Sequence, residues 1–111
     1  MELKKHRWSK SYEAAELDLG EFLKSKNIDA ERWTAHEDEH FEPHMHKLDK
    51  RLWCAEGSIT LTINNKQKVV LQAGDTLDLP AYTVHEALAG FAGCACYESP
   101  TLSKNPSIPA I

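Results

Sequence analysis

The chain has 111 residues, with 13 Lys and Arg against 17 Asp and Glu and a formal charge of −4, a length at which one small domain is the expectation. With 41% hydrophobic and 27% charged residues it can bury one modest core, which excludes a chain disordered throughout. Basic residues cluster only at Lys4-Lys5-His6-Arg7, so an electrostatic footprint for nucleic acid is absent and no nucleic-acid partner is expected.

In chain order, the first predicted element is a helix over 11–26. Tyr12, Ala15, Leu19, Phe22 and Leu23 recur at three- and four-residue spacing, while Glu13, Glu16, Asp18 and Glu21 fall elsewhere around the helix. Ser11 suits the N-cap, the first turns are acidic, and Lys24 and Lys26 sit at the far end before Asn27, all in the sense the helix dipole favours. Gly20 is the unfavourable residue. Such a helix covers a sheet or joins a subunit contact.

From Glu31 the helical period disappears and short β-rich runs alternate with turn signals, which predicts a sandwich or barrel. Ser58–Ile63 alternates polar and apolar residues and is answered by Gln67–Leu71 across Asn64-Asn65, a hairpin by its turn chemistry. Thr76–Leu79, Thr83–Leu88 and Cys94–Glu98 are three further strands, bounded by Gly74, Gly90, Gly93 and Pro100. An antiparallel, meandering sheet follows. The tail from Ser103 to Ile111, with Pro106 and Pro109, fits neither helix nor central strand. The expected division is a helical extension over 1–30, a barrel over 31–100 and a tail over 101–111.

No apolar run approaches the roughly 20 residues needed to cross a bilayer, and Met1-Glu2-Leu3-Lys4-Lys5 has no apolar segment of a signal peptide. A soluble, cytoplasmic protein without a membrane partner is therefore expected. Cys54, Cys94 and Cys96 are an odd set without zinc-type spacing, expected to stay as thiols in a reducing compartment. Cys94 and Cys96 share a strand face but lie roughly 7 Å apart along it, and both read as packing residues. Cys54, of one parity with Leu52, is placed in the barrel either beside a metal or as a buried small hydrophobe.

His44-Met45-His46 carries the most chemical information. In a strand, residues two apart share a face, so both imidazoles can converge on one metal ion, with His85 arriving from a later strand. Neutral imidazole suits zinc, copper, iron and nickel, and three such ligands leave coordination positions open. His36 and His40, in the acidic run His36–Glu42, read as a solvated face, although His40 and Glu42 have the parity of His44 and so can line the barrel mouth. Glu86 is expected to point away from the histidines, Tyr97 and Glu98 compete for the inward position, and Tyr82 and Trp53 either cap the pocket or join a core.

Residues Trp33 to Glu98, about 60% of the chain, resemble the cupin family of small double-stranded β-helix barrels. Pro43-His44-Met45-His46 and Leu52–Gly57 look like the two ends of its first motif, and Gly74, Pro80 and His85 match the spacing of its second. The resemblance implies an all-β cupin barrel with one N-terminal helix, paired as a homodimer. It implies His44, His46 and His85 as ligands of a divalent transition metal, Fe, Zn, Ni or Mn. Where the family has its ligand Glu this chain has Lys50, and Asp38, Tyr82 and Ala89 replace the usual Gly, Gly and Asn. Asp49 is the nearest carboxylate: it is a fourth metal ligand if the strand is bulged, and otherwise solvated or paired with a base. Two function classes stay open, an enzyme of dioxygenase, isomerase or decarboxylase type acting on a small molecule, and a binding or sensor module without turnover.

Overall fold

The computed structural model describes residues 2–10 and 15–100. The order of elements is β1 (His6–Arg7), α1 (Glu16–Ser25), β2 (Glu31–Ala35), β3 (His40–His44), β4 (Lys50–Ile63), β5 (Gln67–Gln72), β6 (Asp75–Leu79) and β7 (His85–Pro100). Among the described residues the architecture is all-β with one helix, as the alternation and the helical spacing predict. Ser11, the expected helix cap, and the tail from Ser103 to Ile111 lie outside the described residues. The described helix follows Ala15, which makes no side-chain cap.

Two long strands organise everything else. β4 and β7 run antiparallel from Lys50 opposite Pro100 to Ile63 opposite His85. The first part of β4 carries β6, to which β1 is added at the edge, and the matching part of β7 carries β2. Beyond the bend, β4 pairs with β5 and β7 with β3. The register shifts twice at that bend, between Cys54 and Glu56 and between Gly57 and Ile59. Gly57 and Gly93 adopt φ of 68° and 73°, a left-handed conformation that costs glycine little and other residues more. The two strands expected over 83–88 and 94–98 form instead the single bent strand His85–Pro100, because Gly90 and Gly93 permit a corner and do not stop the strand.

The hairpin over 58–72 forms as its turn residues dictate: Asn64 and Asn65 have φ of 51° and 61°, and Lys66 N–H donates to the Ile63 carbonyl at 3.0 Å, a primed turn that matches strand twist. Two apolar clusters result. One fills the space enclosed by the bent strands and includes Leu52, Cys54, Ile59, Leu61, Leu71, Leu77, Leu79 and Cys96. The other lies on the opposite face of β4, where Trp53 and Ala55 pack against Leu19, Phe22 and Leu23 of α1 and against Trp8. The helix covers a sheet, and Trp53 belongs to this cluster and not to the pocket.

Candidate metal centre

His44 closes β3 and is the direct cross-strand partner of His85, the first residue of β7. His46 lies two residues past the strand end, where its carbonyl accepts the Tyr82 N–H at 2.8 Å. One ring nitrogen from each of the three histidines lies within 4.8 Å of the others. The ring centroids are 4.3 Å apart for His44 and His85, 5.1 Å for His44 and His46, and 5.2 Å for His46 and His85.

The tautomers of two rings are set by the backbone. His44 Nδ1–H donates to the Glu42 carbonyl at 2.8 Å and His85 Nδ1–H to the Thr83 carbonyl at 2.9 Å. A carbonyl can only accept, so the proton must sit on Nδ1 and the lone pair on Nε2. That is how histidine is prepared for a metal. Burial pushes the pKa of both His46 and His85 below the ordinary value of 6.5, with the charge of Glu98 opposing it in each case. Neutral imidazole, the ligating form, is favoured. The donor set therefore fits a borderline divalent ion.

The histidines open into a cavity of about 280 Å³ walled by Trp33, Phe41, Leu52, Ile59, Leu61, Leu79 and Ala87, with Glu31 and Glu98 as its acidic residues. Trp33 and Phe41 meet edge to face at 5.5 Å. Small apolar-walled cavities with a few polar groups are the usual form of a small-molecule site.

Asp49 lies apart from this cluster: its carboxylate accepts the Ala81 N–H at 2.7 Å and so ties the start of β4 to the turn that leads into β7. His40 and Glu42 do not line the cavity as parity with His44 predicts, because a register shift lies between Phe41 and His44. Phe41 and His44 both face the cavity, while His40 stands on the outer surface bonded to Glu86 at 2.9 Å. Cys54 and Cys96 are opposite one another and fully buried, with Cys94 close by. Contact with Cys54 and Cys94, together with burial, pushes the Cys96 thiol upward, which keeps Cys96 an inert packing thiol.

Of the two residues competing for the last inward position, Glu98 takes it. Tyr97 points to the helix side, its hydroxyl donating to Glu16 at 2.5 Å. Tyr82 and Asp38, which stand where the resemblance places glycine, keep left-handed φ of 61° and 58°. Tyr82 is exposed at the cavity end of the barrel.

No protein-family model matches the chain, and no curated protein matches it. Solved structures do. A DUF861 family protein from Thermotoga maritima is similar with a TM-score of 0.59 and 14% identity over 90% of this chain and 100% of that one. A cupin superfamily protein from Desulfitobacterium hafniense gives 0.60 and 14% over 92% and 79% of the two chains. A cupin-2 domain protein from Shewanella frigidimarina gives 0.55 and 22% over 65% and 69%. Likeness at such identities speaks for architecture, and the architecture of this chain is the cupin fold.

Proposed function

We propose that His44, His46 and His85 bind one divalent transition metal through Nε2 and that the adjoining cavity admits a small organic ligand. The observation carrying this reading is the pair of backbone carbonyls, of Glu42 and Thr83, that fix two of the three imidazoles with Nε2 free. The ring nitrogens that would hold the ion lie within 4.8 Å of one another. The bound ion supplies Lewis acidity and open coordination positions. The chain's own residues supply shape: Phe41, Trp33 and Leu79 give the cavity apolar walls, and His85, 4% exposed, is the most buried of the three histidines.

Within this reading the protein is an enzyme of dioxygenase, isomerase or decarboxylase type on a small substrate. The second reading, a metal or small-ligand sensor, is favoured by one observation: the three-residue cluster contains imidazoles and no carboxylate. We also propose a homodimer, since Phe91 is 88% exposed and Leu88 is exposed on the same strand, apolar surface that a second copy can cover.

Elemental analysis of tag-free protein tests the metal reading. About one Fe, Zn, Ni or Mn ion per chain is expected; less than about a tenth after incubation with all four would refute it. Substrate turnover by the loaded protein, against ligand binding without turnover, separates the enzyme from the sensor. Light scattering giving the monomer mass of 12.5 kDa at micromolar concentration would remove the dimer. No helix of the described residues is long and apolar enough to cross a membrane.

A further inference from the structure

Among the described residues, one ion pair lies on the interior face of the barrel. Lys50 Nζ donates to Glu98 Oε2 at 3.1 Å, and both side chains are largely buried. Their position follows from strand parity. Lys50 and Leu52 are two apart at the start of β4, before its register shifts, and Leu52 lines the cavity. Glu98 lies directly opposite Leu52 on one side and opposite Glu31 on the other.

Glu98 is also part of the wall that holds the three histidines. Its charge acts on both His46 and His85, and that of Lys50 acts on His46. Lys50 engages one carboxylate oxygen, Oε2, and Glu98 remains part of the cavity wall. A carboxylate in a partly dry cavity beside metal-binding nitrogens is not electrically neutral toward a cation. Nor is its counter-charge.

We propose that Glu98 is the carboxylate of the metal centre, delivered from β7, and that Lys50 limits how much of its negative charge the centre feels. The proposal rests on the metal reading above and adds to it two residues outside the histidine cluster. It makes the two halves of one ion pair act in opposite directions. Removing the Glu98 charge leaves the Lys50 ammonium uncompensated beside a cation, and binding weakens. Removing the Lys50 charge frees the carboxylate, and binding tightens.

The test is calorimetric titration of the tag-free chain with Zn(II), repeated with Co(II), whose absorption reports the ligand field. Glu98→Gln is expected to weaken binding by about 10–100-fold, the range for groups that support a metal from just outside its ligands. Lys50→Met is expected to tighten it by about two- to fivefold, the size of one unit charge acting across several ångströms of partly wet protein. The double variant falls between them. Thermal unfolding of the metal-free proteins runs alongside, with Lys50→Gln as the alternative if Lys50→Met does not fold.

A pair that serves only the fold lowers the melting temperature in both variants and leaves both affinities within about twofold, and that result overturns the proposal. So do affinity changes of the same sign in the two variants. A wild-type chain that takes up neither ion removes the metal reading itself, a different failure from a loaded wild type whose variants do not split.

Discussion

Gly57 and Gly93 cross in close contact where β4 and β7 bend: a Cβ built on Gly57 would lie 2.1 Å from the Gly93 carbonyl oxygen. Gly57 also has φ of 68°, so any side chain there meets both backbone strain and a backbone atom that cannot step aside. Gly57→Ala is expected to lose about 2–4 kcal/mol of stability, seen as a lowered urea midpoint. An unchanged midpoint would mean that the corner is not held by this crossing.

Trp8 is buried against α1, and its indole N–H donates to the Cys54 carbonyl at 2.8 Å. That carbonyl also accepts the Gly74 N–H at 3.0 Å, so it keeps a partner when the indole is removed. Trp8→Phe should therefore cost only about 1–2 kcal/mol, one net hydrogen bond plus lost packing. Trp8→Ala should cost about 3–5 kcal/mol. Equal losses in the two variants would show that the hydrogen bond, and not the ring's bulk, anchors the N-terminal segment.

These two sites mark what the sequence discloses and what it hides. Ser58–Ile63 and Gln67–Leu71 are legible because period-two alternation and an Asn-Asn turn are local facts. The grouping of His44, His46 and His85 is legible through spacing and resemblance together. The side of His40 is not legible from His44, because the Phe41–His44 segment contains a register shift that local sequence does not announce. The pairing of β1 with β6, and the seating of Trp8 on the outer face of β4, depend on long-range register. Lys50 and Glu98 are 48 residues apart; alternation of Cys94, Cys96 and Glu98 gives Glu98 its side of the strand, but nothing near Glu98 names its partner.

The pH dependence of the metal-free protein follows from His85. Its folded pKa lies below the ordinary value, chiefly through burial, whereas the unfolded chain titrates near 6.5. Below 6.5 the unfolded state binds more protons, so stability is fully present above that pH and is lost as pH falls toward the folded value. The slope from this one group is at most about 1.4 kcal/mol per pH unit. His46 shifts in the same direction. His40 shifts upward through its bond to Glu86 and contributes the opposite sign, present below 6.5 and lost as pH rises through its folded value. Urea midpoints between pH 7.5 and 5 should fall in wild type and fall less in His85→Ala. A slope as steep in that variant would assign the effect to other groups.

Asp49 and His85 make the sharpest comparison at the centre itself. If three imidazoles carry the metal, His44→Ala, His46→Ala and His85→Ala should each abolish tight binding, since two nitrogens hold a borderline divalent ion poorly. Asp49→Ala has a different predicted consequence. Its carboxylate holds the Ala81 N–H at 2.7 Å, so its loss should cost about 1 kcal/mol of stability. The same turn carries Tyr82, whose N–H holds the His46 carbonyl at 2.8 Å, and it leads into His85. A modest loosening of the site is therefore expected, at most the 10–100-fold typical of groups that orient ligands. Affinities, and not occupancies at saturating metal, have to be compared. An Asp49→Ala loss as large as that of a histidine variant, with stability little changed, would show that the start of β4 rearranges on metallation and brings Asp49 in as a fourth ligand.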